Sequence, residues 1–201
     1  MKKRDMMETV YGVAQAKKVS ELLMFLDPKL HHMVKTIAYD LFWGFPELPL
    51  KEKSIITLCS LMVSHQYEQI EIHIHGFFHL GGTIGELIEM VFSIKENNIN
   101  IPEEELLKVI HNLVEGMEIS SKEKIKKNLT SREIAIIHVA SASAAKNKMC
   151  LKESILQALS QGMEKLIPPI FIHQAIYCGF PLVMNSFGVF HEVLRDENSK
   201  G

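Results

Sequence analysis

The residues best equipped for chemistry are histidines: His73, His75 and His79 crowd into the stretch 66–80. At 3.6 residues per turn this stretch reads as a helix, with His73 on one face beside Gln66, Gln69, Ile70, Phe77 and Leu80. That face is half polar and half apolar, so it predicts a partly buried polar pocket around His73. His75 and His79 fall on another face with Glu68 and Glu71. Three roles are open on residue chemistry alone. An imidazole in a dry cleft takes or gives a proton near neutral pH, and a neighbouring carboxylate raises its affinity for that proton. His75 and His79, four apart, have the spacing of a pair of metal ligands, although no H-E-x-x-H pattern accompanies them. The third role is structural, a set of hydrogen-bonded or solvated rings.

Helices must position these groups. Apolar residues recur at three- and four-residue spacing along nearly the whole chain. Asp27 before Pro28 is an N-cap signal, and Leu30, Met33, Ile37 and Leu41 then share a face. Gly44, Pro46 and Pro49 break the chain, and Ile55, Leu58 and Met62 stripe a helix over 50–65. Gly81 and Gly82 end the histidine helix, and Thr83 with Glu86 forms a capping box for the next. Pro102 followed by Glu103, Glu104 and Glu105 opens another, its acids complementing the helix dipole. The lysine-rich stretch 120–128 reads as a loop or frayed end. Starts follow at Thr130–Glu133 and at Pro168, the latter helix ending near Gly179, before a last helix over about 182–194. No period-two segment reaches strand length. The expected fold class is all-α, an orthogonal bundle of about ten helices.

Composition supports a packed core, with 47% hydrophobic and 23% charged residues. A net charge of −2 and pI near 6.6 supply no basic face for nucleic acid or an acidic membrane. The basic start at Met1–Arg4 is not followed by an unbroken apolar run, and no stretch approaches the roughly 18 apolar residues that span a bilayer. Cys59, Cys150 and Cys178 are odd in number and form no C-x-x-C pair, as suits a reducing cytoplasm. The stretch 196–201 reads as a frayed polar tail.

An internal repeat is also legible. Leu50–Ile56 resembles Leu129–Ala135, pairing Lys53 with Arg132 at an offset of 132 − 53 = 79. His73–Gly81 parallels Ser154–Gly162 at 162 − 81 = 81, so a two-residue insertion near 146–150 would reconcile the anchors. The expected division is two related helical units, 1–96 and 97–201, the second degenerate because Ser154 stands where the first has His73.

Several short motifs occur in a specific order: Trp43-Gly44, Leu48–Ser54, Glu68–His73, Gly81–Glu89, and Tyr177-Cys178-Gly179-Phe180-Pro181 with Asn185 following. In that order they resemble the carboxymuconolactone decarboxylase family, which is related to alkyl hydroperoxide reductase D. The resemblance covers most of the chain. It implies an all-helical protein whose members assemble as cyclic trimers or as hexamers of three dimers; a tandem chain would then be a homotrimer. It implies a small-molecule substrate, a lactone or keto acid, and a cofactor-free, metal-free lyase. His73 would be the proton donor, Glu68 an adjacent catalytic acid, and Tyr177 a donor to the enolate oxygen. Glu71, Gln69, Lys53 and Arg132 would bind substrate. The peroxidase branch places cysteines seven and four residues before the family histidine, where this chain has Gln66 and Gln69. Disulfide-cycling chemistry is therefore excluded from this helix. Decarboxylases carry a glutamate where Gln69 stands, and arginine is limited to Arg4, Arg132 and Arg195. A catalytically reduced, oligomeric binding or scaffold member is the alternative.

Overall fold

The computed structural model describes residues 5–115 and 129–199, the side chains of Val114 and Glu115 excepted. Among the described residues the chain is all-helical, without strands. Helices α1 (Met6–Tyr11), α2 (Val13–Leu26) and α3 (Pro28–Met33) lead into a π-helical segment, Val34–Trp43. They are followed by α4 (Leu50–Val63), α5 (Tyr67–His79), α6 (Ile84–Glu96), α7 (Glu103–Glu115), α8 (Ser131–Ala144) and α9 (Lys148–Ser160). A short 3₁₀ turn, Glu164–Leu166, precedes α10 (Ile167–Cys178) and α11 (Phe180–Asn198).

The start signals act as their chemistry requires. Asp27 accepts from Lys29 N at 2.7 Å and Leu30 N at 2.9 Å, satisfying orphan donors of α3. Thr83 and Thr130 each close a complete capping box with the glutamate three residues on. Two boundaries differ from the sequence pattern. Gly12 holds a left-handed φ of 75° and divides the first apolar run into α1 and α2. At the other end α11 continues through Asp196, Glu197 and Asn198, so the first half of the expected polar tail is helix. The expected loop at 120–128 lies outside the described residues.

Helix α4 is the core element, buried without interruption from Glu52 to Met62. Its apolar pattern looked one-sided, yet it packs against α5, α8 and α10 together, and a helix enclosed all round needs no polar face. Ile55, Ile56, Leu58 and Met62 meet Ile136, Ile137 and Val139 of α8 within one continuous core. The α4 and α8 starts are offset by 131 − 50 = 81, and those of α5 and α9 by 148 − 67 = 81. Left-handed residues recur at the same interval: His65 and Lys146, Gly81 and Gly162. A constant offset pairs Arg132 with Lys51, not Lys53, and needs no insertion. The ion pairs across α4 and α8 are reciprocal: Arg132 Nε donates to Glu52 Oε1 at 2.8 Å, and Lys51 Nζ lies 3.0 Å from Glu133 Oε1. Such exchange, residue i to j and j to i, is the contact pattern of two like surfaces facing each other.

One apolar stripe does not reach the core. Leu30, Met33, Ile37 and Leu41 are all exposed, and Phe25 on α2 is 87% exposed.

The π-helical segment carries Tyr39 and Trp43 into a second cluster with Tyr11, Val10 and Val19. Gly44 N donates to Tyr39 O at 3.0 Å, closing the wide turn. Lys53 secures its end. The buried ammonium donates to the carbonyls of Trp43 at 2.8 Å, Phe42 at 3.4 Å and Phe45. Burial pulls the Lys53 pKa down to about 8. Replacing Lys53 by Met removes the donor these carbonyls share. The expected result is a lower urea midpoint with unchanged slope, at a cost of about 1–3 kcal/mol.

Candidate active site

His73 sits on α5, buried to 5% exposure, on the face that the spacing indicated. Tyr11 reaches it from α1 because α5 has a glycine one turn on. A Cβ on Gly76 would stand 2.9 Å from the Tyr11 ring, so only glycine admits the tyrosine this close. Tyr11 Oη is 3.0 Å from His73 Nδ1, and Tyr39 Oη donates to Tyr11 Oη at 2.9 Å. The proton order follows. With Tyr39 donating to Tyr11, the Tyr11 proton points at Nδ1, which leaves the imidazole proton on Nε2.

Trp43 stands between two histidines. Its ring is parallel to His73 within 5°, at a centroid separation of 6.4 Å, and edge-on to His173 at 5.0 Å. Trp43 Nε1 donates to Tyr177 Oη at 3.0 Å, and Thr57 Oγ1 is 3.0 Å from His173 Nε2. The Tyr177 ring in turn meets the His73 ring edge-on at 5.5 Å. Because α10 places His173 and Tyr177 four residues apart, both reach the same aromatic cluster.

A cavity of about 400 Å³ opens on this cluster. Its polar lining is Tyr11, Tyr39, Gln66, Gln69, His73 and Tyr177, with Ser64 beside them. Leu22, Leu23 and Leu26 of α2, with Ile72 and Ile176, make apolar walls. Among the described residues the lining holds no Lys, Arg, Asp or Glu. Such a space fits a small molecule held by a few polar groups in an apolar setting.

Electrostatics match the dryness. Burial alone holds His73 down to about 3, so the ring is neutral at pH 7. His173 is also held to about 3, first by burial, then by the Lys53 charge and by repulsion from His73 when that ring is protonated. Burial pushes the Tyr177 phenol up to about 12 and raises Tyr11 and Tyr39 well above the usual tyrosine value.

The sequence-derived candidates divide. His73, Tyr177 and Gln69 line the cavity. Glu68 and Glu71 are exposed on the outer face of α5 and do not line it, so the hydrogen-bond partner of His73 is a phenol and not a carboxylate. Lys53 is spent on backbone carbonyls behind Trp43. Arg132 is paired to Glu52 by both Nε and Nη2 at 2.8 and 3.0 Å, away from the cavity. His79 is exposed and packs near Gly12. Among the described residues no group of three metal-ligating side chains converges. Cys59 is fully buried and its thiol pKa is raised by burial, the reverse of a reactive thiolate. Sequence reasoning missed Tyr11, Tyr39, Thr57 and His173. The four-residue spacings Tyr39–Trp43 and His173–Tyr177 were available signals; nothing local marks Tyr11.

Searches against protein-family models and against curated proteins return no match for this sequence.

The two buried imidazoles give a stability prediction. Their folded pKa values near 3 lie below the ordinary 6.5, so between these values the unfolded chain binds more protons. Stability is complete above about pH 6.5 and falls on acidification, with a slope of up to about 2.7 kcal/mol per pH unit for two protons. Urea unfolding between pH 7.5 and 5 checks this; stability flat across that window contradicts it.

Proposed function

We propose that this chain is a carboxymuconolactone-decarboxylase-like protein, a cofactor-free lyase acting on a small monocarboxylate with a carbonyl near its carboxyl group, such as a β-keto acid or a lactone acid. The observation that carries the reading is His73, a neutral, desolvated imidazole lining a cavity whose described lining has no lysine or arginine. An anionic substrate entering such a cavity has one cation available to it, the imidazolium made when His73 takes up a proton. A carboxylate beside the ring favours that charged form. The site therefore suits a single negative charge and disfavours a dianion, in keeping with the scarcity of arginine.

The chemistry then balances on one proton. The bond from the α-carbon to the carboxyl carbon breaks, carbon dioxide leaves, and the electron pair delocalises onto the neighbouring carbonyl as an enolate. His73 returns its proton to the α-carbon, and the ring ends neutral. Tyr11 and Tyr39 hold the ring's orientation, and the Tyr177 hydroxyl, fixed by Trp43, faces the same space. Lys53 stabilises the wall behind Trp43, and Glu68, Glu71 and Arg132 have no part in the step.

The same reading makes the chain two copies of one helical unit, supported by the constant offset of 81 and the reciprocal ion pairs. It makes the chain a cytoplasmic homotrimer. Supporting this are its three free cysteines and the exposed stripe of Leu30, Met33, Ile37 and Leu41, which a neighbouring copy would cover. No helix among the described residues is long and apolar enough to cross a membrane. Light scattering is expected to give trimeric mass; a monomer contradicts the assembly.

One observation favours a binding role instead. Ser154, at 154 − 73 = 81 from His73, is buried and donates to Asn97, so the second unit has no imidazole at the position equivalent to His73. The enzyme test is carbon dioxide release from aliphatic and aryl β-keto acids. The wild type is expected to release it and His73→Ala to lose about a hundredfold or more in rate. Calorimetry of a stable monocarboxylate analogue in buffers of different ionisation enthalpy is expected to show about one proton taken up at pH 7. Proton uptake without carbon dioxide release marks the binding role; neither result contradicts both readings.

A further inference from the structure

A second cavity among the described residues is larger than the one at His73. A groove of about 640 Å³, against about 400 Å³ at His73, runs between the end of α8, the start of α9 and one face of α11. Leu182, Ser186, Val189 and Glu192 recur at three- and four-residue spacing along α11 and face it. Its floor is apolar: Leu151, Leu182 and Val189 are buried there. The groove stays open at its middle, since a Cβ added at Gly188 would meet no atom within 4 Å.

The polar residues on the lining are Ser143, Lys146, Lys148, Asn185, Ser186 and Glu192. Ser186 donates to Leu182 O at 3.1 Å and shares a 2.9 Å hydrogen bond with Ser143, so the floor has no spare hydroxyl proton. Glu192 is shared by Lys148 at 2.9 Å and Lys152 at 2.6 Å, and these two ammoniums hold its carboxyl down to about 2. Lys146, also on the lining, has no ion pair among the described residues. Lys148 and Lys152 share the Glu192 carboxylate and Lys146 adds a third ammonium to the lining, a charge of 3 − 1 = +2 around the groove on a chain whose net charge is −2. Lys146 closes α8 at a left-handed φ of 56°, where a glycine is the usual residue.

The geometry points to a second ligand site in this groove, independent of the His73 cavity, for an amphipathic monoanion: a carboxylate at Lys146 and an unbranched or aryl apolar body along Leu151, Leu182 and Val189. A compact inorganic anion would leave that apolar floor wet, and a neutral lipid would leave the excess charge unanswered. The volume falls within the range of small-molecule sites.

Cys178 supplies a local reporter. It lines the groove and is half-buried, whereas Cys59 and Cys150 are buried. Iodoacetamide alkylation of Cys178 in the native full chain, at mildly alkaline pH and followed by intact mass, reads occupancy. Dodecanoate below its micelle-forming concentration is expected to slow alkylation saturably. Dodecanol in place of dodecanoate, or Lys146→Gln with dodecanoate, is expected to raise the half-protection concentration about fivefold, the size of a rim ion pair. Gly188→Trp, which fills the groove, is expected to abolish protection. His73→Ala is expected to leave it unchanged, which separates this site from the reading of the His73 cavity. Absence of saturable protection overturns the proposal, as does protection that survives both Lys146→Gln and Gly188→Trp or disappears in His73→Ala.

Discussion

A single imidazole removed from water constrains much of this molecule. A charged ring would lose its hydration without a counter-ion in the cavity, so burial keeps His73 neutral, and a neutral ring needs fixed hydrogen-bond partners. Tyr11 bonds the ring and Tyr39 fixes Tyr11, and each requires its own structural provision. Gly76 opens the surface of α5 to the Tyr11 ring, and Gly12 turns the chain after α1 so that α2 can wall the cavity. The π-helical segment brings Tyr39 and Trp43 onto one side, and the Lys53 ammonium ties down its end. Helix α10 then adds Tyr177 and His173 behind the indole.

The absence of charge in the described lining decides which chemistry fits. Two oxygens of a carboxylate entering this space meet phenols, amides and an imidazole, all neutral at rest. Of these only the imidazole gains a proton readily, because the phenols are acids that burial has made weaker still. Binding and protonation are thus one event in the proposed reaction, and the proton taken up is the proton given to carbon. That economy needs no second acid, which is consistent with Glu68 and Glu71 lying on the outer face of α5.

Much of the fold was legible in the sequence because its signals are local. Capping boxes at Thr83 and Thr130, Pro28 after Asp27, and the Gly81 stop depend on residues within one turn, and the helices begin and end there. The inward face of His73 was legible for the same reason. What failed was whatever depends on distant partners. Glu68 was assigned from the family resemblance, Glu71 as a carboxylate near His73, and Lys53 as a cation near a helix start. An exposed glutamate and a lysine buried against carbonyls look alike until the π-helical segment is in place. Tyr11 lies 62 residues from His73 in the chain, and no periodicity encodes that contact. Arg132 was paired with Lys53 by a sequence offset of 79, whereas helix starts fix 81 and bring it opposite Lys51. The stripe of Leu30, Met33, Ile37 and Leu41 was legible as one apolar face, but its exposure was not, because periodicity says nothing of what covers a face.

The state of the His73 ring is the most direct thing to measure. In ¹⁵N-labelled protein, nitrogen shifts of the ligand-free chain should report a neutral His73 with its proton on Nε2, unchanged from pH 8 down to the onset of acid unfolding. A His73 resonance titrating near 6.5, or a ring protonated on Nδ1, would mean that water reaches it or that Tyr11 does not donate to it, and the account of the site would be wrong.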